Sequence, residues 1–220
     1  MLENTDGQDR RLAFPPPPAP AYLTLGRLVT RIGDGPDGKP LMNRQTAELI
    51  ALSGAVDVLI ARSRGLAIPA WDAVVADDKG KLLVHAEGVE PLRTLDWVDL
   101  AAEPEPVFNV RVRPGHFDDG GDPERSYMGW HARMTDEEAR LAVTRWWNRP
   151  REDMRERPFV ATIAGLCVYV GRIRDINNKY GLAEFTVDTI ETELRDRWLF
   201  HRVRTPPGGN TAILRPAGSS

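Results

Sequence analysis

Residues 134–203 constrain this chain more than any other stretch, because there the local signals agree. Met134-Thr135-Asp136-Glu137-Glu138 has the spacing of a capping box. In that arrangement the Thr135 hydroxyl accepts from the Glu138 amide, and the Glu138 carboxylate accepts from the Thr135 amide. The acidic first turn also suits the positive end of a helix dipole. Ala139, Ala142, Val143 and Trp146 share a face at helical spacing, Trp147 adjoins it, and Arg140 and Arg145 point away. The spacing thus predicts a helix that ends in Trp146-Trp147, and Pro150 stops it soon after. After a charged stretch, residues 159–163 and 166–173 read as two apolar strands around the two-residue turn Ala164-Gly165. Gly171 marks a bulge. Residues 175–196 read as an insertion with a short helix from about Thr186. Residues 198–203 return as a strand, with Trp198, Phe200 and Arg202 on one face and Leu199, His201 and Val203 on the other.

The rest of the chain is less explicit. Residues 1–20 end in a proline run that favours an extended, disordered arm. Residues 22–32 read as a first strand, followed by the glycine-rich turns of residues 33–40. Those glycines lack the Gly-Lys-Ser/Thr of a phosphate cradle. Asn43 caps a helix running to about Ser53, with Ala47, Leu49 and Ile50 inward and Gly54 closing it. Strands follow at residues 55–61, 71–76 and 81–86, the last two joined by Asp77-Asp78-Lys79-Gly80. Residues 94–100 add a short strand or helical turn. The acidic, proline-broken stretch 101–106 is the best boundary. Beyond it, Phe108, Val110 and Val112 alternate with Asn109, Arg111 and Arg113, which predicts a half-buried strand with a basic outer face. Residues 114–127 form a polar loop without calcium-loop spacing. The tail holds one short strand around residues 212–214. The expected organisation is a disordered segment 1–20, an α+β region 21–103, a domain over 107–204 and a tail 205–220.

The charge is unevenly spread. Residues 1–124 carry 13 Lys and Arg against 20 Asp and Glu, whereas residues 125–220 carry 16 against 12. In the basic half Lys179 is the sole lysine, and arginine suits phosphates, carboxylates and aromatic faces. That surplus is compatible with nucleic-acid contact. It is equally what arginine-favouring codon usage produces. The single cysteine, Cys167, excludes an internal disulfide and a cysteine zinc site, and its apolar flanks make it a small core residue. No apolar run is long enough to span a bilayer and no secretory signal opens the chain, so a cytoplasmic location without membrane contact is expected. The histidines lack metal-pair spacing, no nucleophile elbow occurs, and no cofactor is expected.

The series Met-Thr-x-x-Glu, Arg-Trp-Trp, a charged link, an apolar hairpin ending Val-Gly-Arg-Ile, then Arg-Trp-Leu-Phe resembles the PUA/EVE/ASCH-like β-barrel domains of uncharacterised bacterial restriction-associated proteins. The likeness covers about residues 107–204. Relatives of that kind pass almost directly from hairpin to aromatic strand, where this chain inserts residues 175–196. The resemblance implies a curved sheet or barrel, within an α+β chain of mostly antiparallel strands and few helices. It also implies a non-catalytic reader of nucleic acid or of a modified nucleotide through an aromatic pocket, with Trp146, Trp147 and Trp198 at the matching positions. A base pocket needs flat walls and edge donors. Trp146, Trp147, Trp198, Tyr169 and His201 can supply walls; Arg145, Arg172, Arg202 and Arg204 can supply donors. Each of the three tryptophans is also an ordinary core candidate, and His201 an ordinary structural histidine. Two alternatives stand beside this reading: a small hydrolase or nuclease built on His116, Asp118 and His131, and a protein-interaction component of a phage-related or defence assembly that engages a partner through the proline-rich arm.

Overall fold

The computed structural model describes residues 22–35, 38–55, 58–61, 67–69, 81–86, 89–118, 122–148, 152–179, 181–188, 192–206 and 208–216. The proline-rich arm, the strand expected at 71–76 and its hairpin loop lie outside the described residues.

The first part contains β1 (Tyr22–Thr24), α1 (Leu25–Ile32), α2 (Arg44–Leu52), β2 (Val58–Ala61), β3 (Ala67–Pro69), β4 (Lys81–His85) and α3 (Val89–Thr94). Its sheet runs β1-β4-β2-β3 with antiparallel neighbours. The strand expected at 22–32 is only three residues long. Thr24 then turns the chain into α1, accepting from the Arg27 amide at 3.5 Å. Leu25, Leu28 and Ile32 are buried, a three-to-four-residue spacing that is helical. The α2 expectation holds. Asn43 Oδ1 accepts from the Thr46 amide at 2.8 Å, and Ala47, Ile50 and Ala51 face inward while Leu49 is half-buried.

The second part contains β5 (Val107–Arg111), β6 (His116–Phe117), β7 (Tyr127–Met128), α4 (Asp136–Thr144), β8 (Trp147–Asn148), β9 (Pro158–Ile163), β10 (Leu166–Lys179), β11 (Leu182–Asp188), α5 (Thr192–Trp198) and β12 (Thr211–Leu214). Its six-stranded sheet is ordered β12-β5-β9-β10-β11-β8 and curls into a half-barrel. Every neighbouring pair is antiparallel except β5 with β9. The chain is thus mixed α+β with mostly strands.

The apolar runs explain the layers. Phe108, Phe159 and Phe185 meet on one face at centroid separations of 5.1–6.2 Å, above Ala139 and Val143 of α4. Each buried phenylalanine contributes about 1.5–3 kcal/mol. The other face holds Val107, Val160, Cys167 and Val170 against Leu194 and Trp198 of α5. Because the sheet is covered on both faces, β5 is not the half-buried strand with a basic outer side that its alternation predicts. Asn109 is fully buried, and its Oδ1 accepts from Thr162 Oγ1 at 3.0 Å.

The hairpin turn is as expected, with φ of 50° at Ala164 and 83° at Gly165, the left-handed pair that a two-residue hairpin demands. Gly171 is not the bulge. Register shifts lie between Cys167 and Tyr169 and between Ile173 and Asp175. Gly171 is there because a Cβ would come within 1.8 Å of Val187 Cγ1. The stretch 175–196 is more regular than a segment with one short helix. Its first half extends β10 and forms β11, whose Ala183, Phe185 and Val187 alternate inward. Its helix starts at Thr192, not Thr186.

Residues 198–203 are not a strand. The Leu199 amide donates to the Arg195 carbonyl at 2.8 Å, so the helix continues through Trp198, and Phe200 turns with φ 60°. Two isolated bridges then pair Arg202 with Trp97 on one side and with Leu166 on the other. The 101–106 stretch is pinned down. Glu103 is buried and accepts from Trp198 Nε1 at 2.9 Å and Arg197 Nε at 3.2 Å. The strand expected near 212–214 is β12, which pairs with β5.

Candidate functional site

The capping box on α4 is present in full: Thr135 Oγ1 accepts from the Glu138 amide at 3.2 Å, and Glu138 Oε2 accepts from the Thr135 amide at 2.8 Å. The helix stops at Thr144, earlier than its apolar pattern predicts. Arg145 is extended, with φ −127° and ψ 154°. Trp146 therefore leaves the helical face, and Trp147 begins β8, paired with Ala183 of β11.

The cause of that early stop is electrostatic. Arg145 does not point away to solvent. Its guanidinium reaches Asp122 at 3.1 Å, Glu124 at 2.9 Å and Glu184, and its side chain is only 11% exposed. Burial pushes Asp122 upward, but the Glu124 amide, Arg145 and the Trp146 indole outweigh it and hold the carboxyl below its ordinary value. Arg125 forms a second buried pair with Asp118 at 2.7 Å and donates to the Arg145 carbonyl at 3.0 Å. Asp118, Asp122, Glu124 and Arg125 thus anchor the polar loop onto the helix end.

These pairs shape a cavity of about 800 Å³. Trp146 and Trp147, both half-buried, line it together with Arg111, Arg113, Arg125 and Arg145. No carboxylate is among the described lining residues. Trp146 Nε1 donates to Asp122 Oδ2 at 3.1 Å, and the Arg145 and Lys179 cations lie 5.6 and 5.4 Å from its ring centre. Trp147 Nε1 donates to the Val143 carbonyl at 2.8 Å. Arg111 donates to the carbonyls of Pro206 and Gly208, which closes one wall with the segment before β12. Arg113 is exposed.

The other expected site residues lie elsewhere. Trp198 is fully buried core, so it is no pocket wall. Tyr169 packs its edge on Phe159, and burial pushes its hydroxyl up to about 12. Arg172 is held by Glu105 at 2.9 Å and by the Glu156 carbonyl at 2.7 Å. His201 Nδ1 sits 3.1 Å from the Leu199 carbonyl oxygen. Arg202 is buried, donating to the carbonyls of Leu41 at 3.3 Å and Leu92 at 2.6 Å. Cys167 is fully buried, and that burial raises its thiol well above the ordinary value.

The catalytic alternative rests on His116, Asp118 and His131. His116 lines the cavity, but Asp118 is engaged by Arg125 and His131 is only 2% exposed. Among the described residues no group of His, Cys, Asp and Glu is placed to hold a metal, and no helix is long and apolar enough to cross a membrane. His131 packs on Gly54, where a Cβ would come within 2.6 Å of the ring, and its Nδ1 accepts from the Arg133 amide at 3.1 Å. Burial, helped by the Arg133 charge, lowers its pKa from 6.5 to about 4.

The sign of the consequence is definite. The unfolded chain binds a proton at His131 that the folded chain refuses, so stability falls as pH drops from 6.5 toward 4. The slope is ~1.4 kcal/mol per pH unit where the difference is complete. Denaturant melts at stepped pH are expected to show this loss, and His131→Gln is expected to flatten it.

Arg111, Arg113, Arg125 and Asp122 were not expected at the site. Arg111 and Asp122 meet partners far along the chain, and Arg125 meets Asp118 only through the folding of their shared loop. No protein-family model, curated protein or solved structure matches the chain.

Proposed function

We propose that the chain is a non-catalytic binding module that takes nucleic acid or a nucleotide into the Trp146–Trp147 cavity. One observation carries the reading: two half-buried indoles and four arginines line a single cavity of about 800 Å³, with no carboxylate among the described lining residues. Indoles offer stacking faces to any base, and arginines offer forked donors to phosphate or to a base edge. The size lies within the usual range of ligand pockets, about 300–1,000 Å³. Asp118, Asp122 and Glu124 hold two of the arginines in place, which lowers the ordering cost of binding.

The test is anisotropy of a labelled single-stranded oligonucleotide over a salt series. Affinity is expected to fall linearly on logarithmic axes, by ~0.7 in slope for each phosphate contact. Arg113→Ala should remove about one such contact. Trp147→Ala should lose about 1–3 kcal/mol of stacking at all salt concentrations. Absence of binding to single strands, duplexes and free nucleotides at low salt would sink the reading.

A further inference from the structure

A second cavity, of about 360 Å³, shares no lining residue with the first. Leu41, Met42 and Ile50 of the first part and Leu166 and Val203 of the second contribute apolar walls. Two arginines and one indole supply its polar side. Trp97 is 41% exposed, large for an indole beside an apolar hollow. The guanidinium carbons of Arg202 and Arg204 lie 5.8 and 5.1 Å from its ring centre.

Arg202 is the unusual member. It is 7% exposed and its donors meet two backbone carbonyls, yet among the described residues no carboxylate pairs with it. Burial alone shifts its pKa, and the direction is downward. A buried cation ordinarily has an anion beside it. Arg125, the other arginine buried among the described residues, has its aspartate. Arg204, two residues on, is exposed. The cavity therefore joins a fixed positive charge to an apolar hollow.

We infer that this cavity binds a small ligand with one anionic group and an aliphatic body, the anion lying by Arg202 and Arg204 and the body against Leu41, Ile50 and Leu166. The ligand's anion answers a charge that no carboxylate among the described residues meets. Aliphatic walls favour an aliphatic body over a planar one, because the Trp97 ring already carries guanidinium groups. The volume is at the small end of ligand pockets, which excludes a polymer threaded through it.

The probes are octanoate and octanol, which match in length and differ in charge, titrated calorimetrically into the full chain. Octanoate is expected to bind at least tenfold tighter than octanol. Arg204→Ala, at an exposed position, is expected to weaken octanoate roughly tenfold, the order of one charged hydrogen bond. Thr46→Phe fills the hollow from a half-buried position whose capping bond is made by its backbone amide. It is expected to abolish binding with the melting temperature kept. Equal affinity for octanol, no octanoate binding below its micelle concentration, or octanoate binding that survives Thr46→Phe overturns the inference. An oligonucleotide that binds with or without octanoate leaves the two cavities separate, so failure here does not touch the nucleic-acid reading.

Discussion

Trp198→Ala is expected to lower the unfolding free energy by about 3–5 kcal/mol, the cost of emptying a large buried aromatic site. The indole has no exposed surface. It lies in the core between α5 and the sheet, in the cluster with Val107, Val160 and Leu194. Its Nε1 also donates to Glu103, itself 5% exposed, whose remaining charged partner is Arg197 at 3.2 Å. Removing the ring thus leaves a hole and weakens the support of a buried carboxylate. Trp198→Phe separates the two effects, keeping most of the apolar volume and losing only the donor, for about 1–3 kcal/mol. Urea melts of both variants measure the difference. An alanine variant within about 1 kcal/mol of the parent would show that the site collapses without loss, against the usual behaviour of core aromatics.

Arg145→Ala is expected to cost about 3–5 kcal/mol at neutral pH, because it strands Asp122 in a buried place. The Asp122 side chain is 6% exposed. Its folded pKa lies below the unfolded one. The stability tied to it is therefore complete above the ordinary carboxylate range and is lost as pH falls through the lowered folded value. The penalty of Arg145→Ala should shrink in acid, since both proteins then carry a neutral Asp122. Arg145→Lys should recover only part, because an ammonium cannot span three carboxylates as a fork does. Melts at neutral and acid pH read both effects. A penalty that does not change with pH would place the loss in packing instead of charge.

What was legible in the sequence was what depends on neighbours along the chain. The Thr135–Glu138 box, the Asn43 cap and the Ala164-Gly165 turn are short-range devices, and all three are present. Where the chain was misread, a long-range partner decided. Helix α4 stops at Thr144 because Arg145 finds Asp122, Glu124 and Glu184 on distant segments. Trp198 ends a helix instead of starting a strand, because Glu103 and the β5 face receive it there. Two other differences carry a local signal in the sequence: the helical spacing of Leu25, Leu28 and Ile32, and the alternation of Ala183, Phe185 and Val187.

The arginine surplus was the least legible feature. Composition shows positive charge and nothing of its placement. Arg125, Arg145, Arg157, Arg172, Arg174 and Arg197 each face a carboxylate in the fold. Part of what reads as a nucleic-acid surface is thus bracing within the fold, buried at Arg125 and Arg145. Of the candidate site, Trp146, Trp147 and Arg145 were anticipated; the remaining arginines come from strands and loops that only the tertiary structure brings together.

The position of β12 sets an order on synthesis. Arg111 and the strand it ends acquire partners from far downstream: Arg111 donates to the Gly208 carbonyl, and Val107 pairs with Leu214. Until those residues leave the ribosome, β5 presents an open row of amides and carbonyls beside Phe108 and Val110. Such an edge is a template for another chain's strand. The hazard at β5 thus lasts until residues 211–214 are made, when β12 covers that edge and becomes the short edge strand in its place.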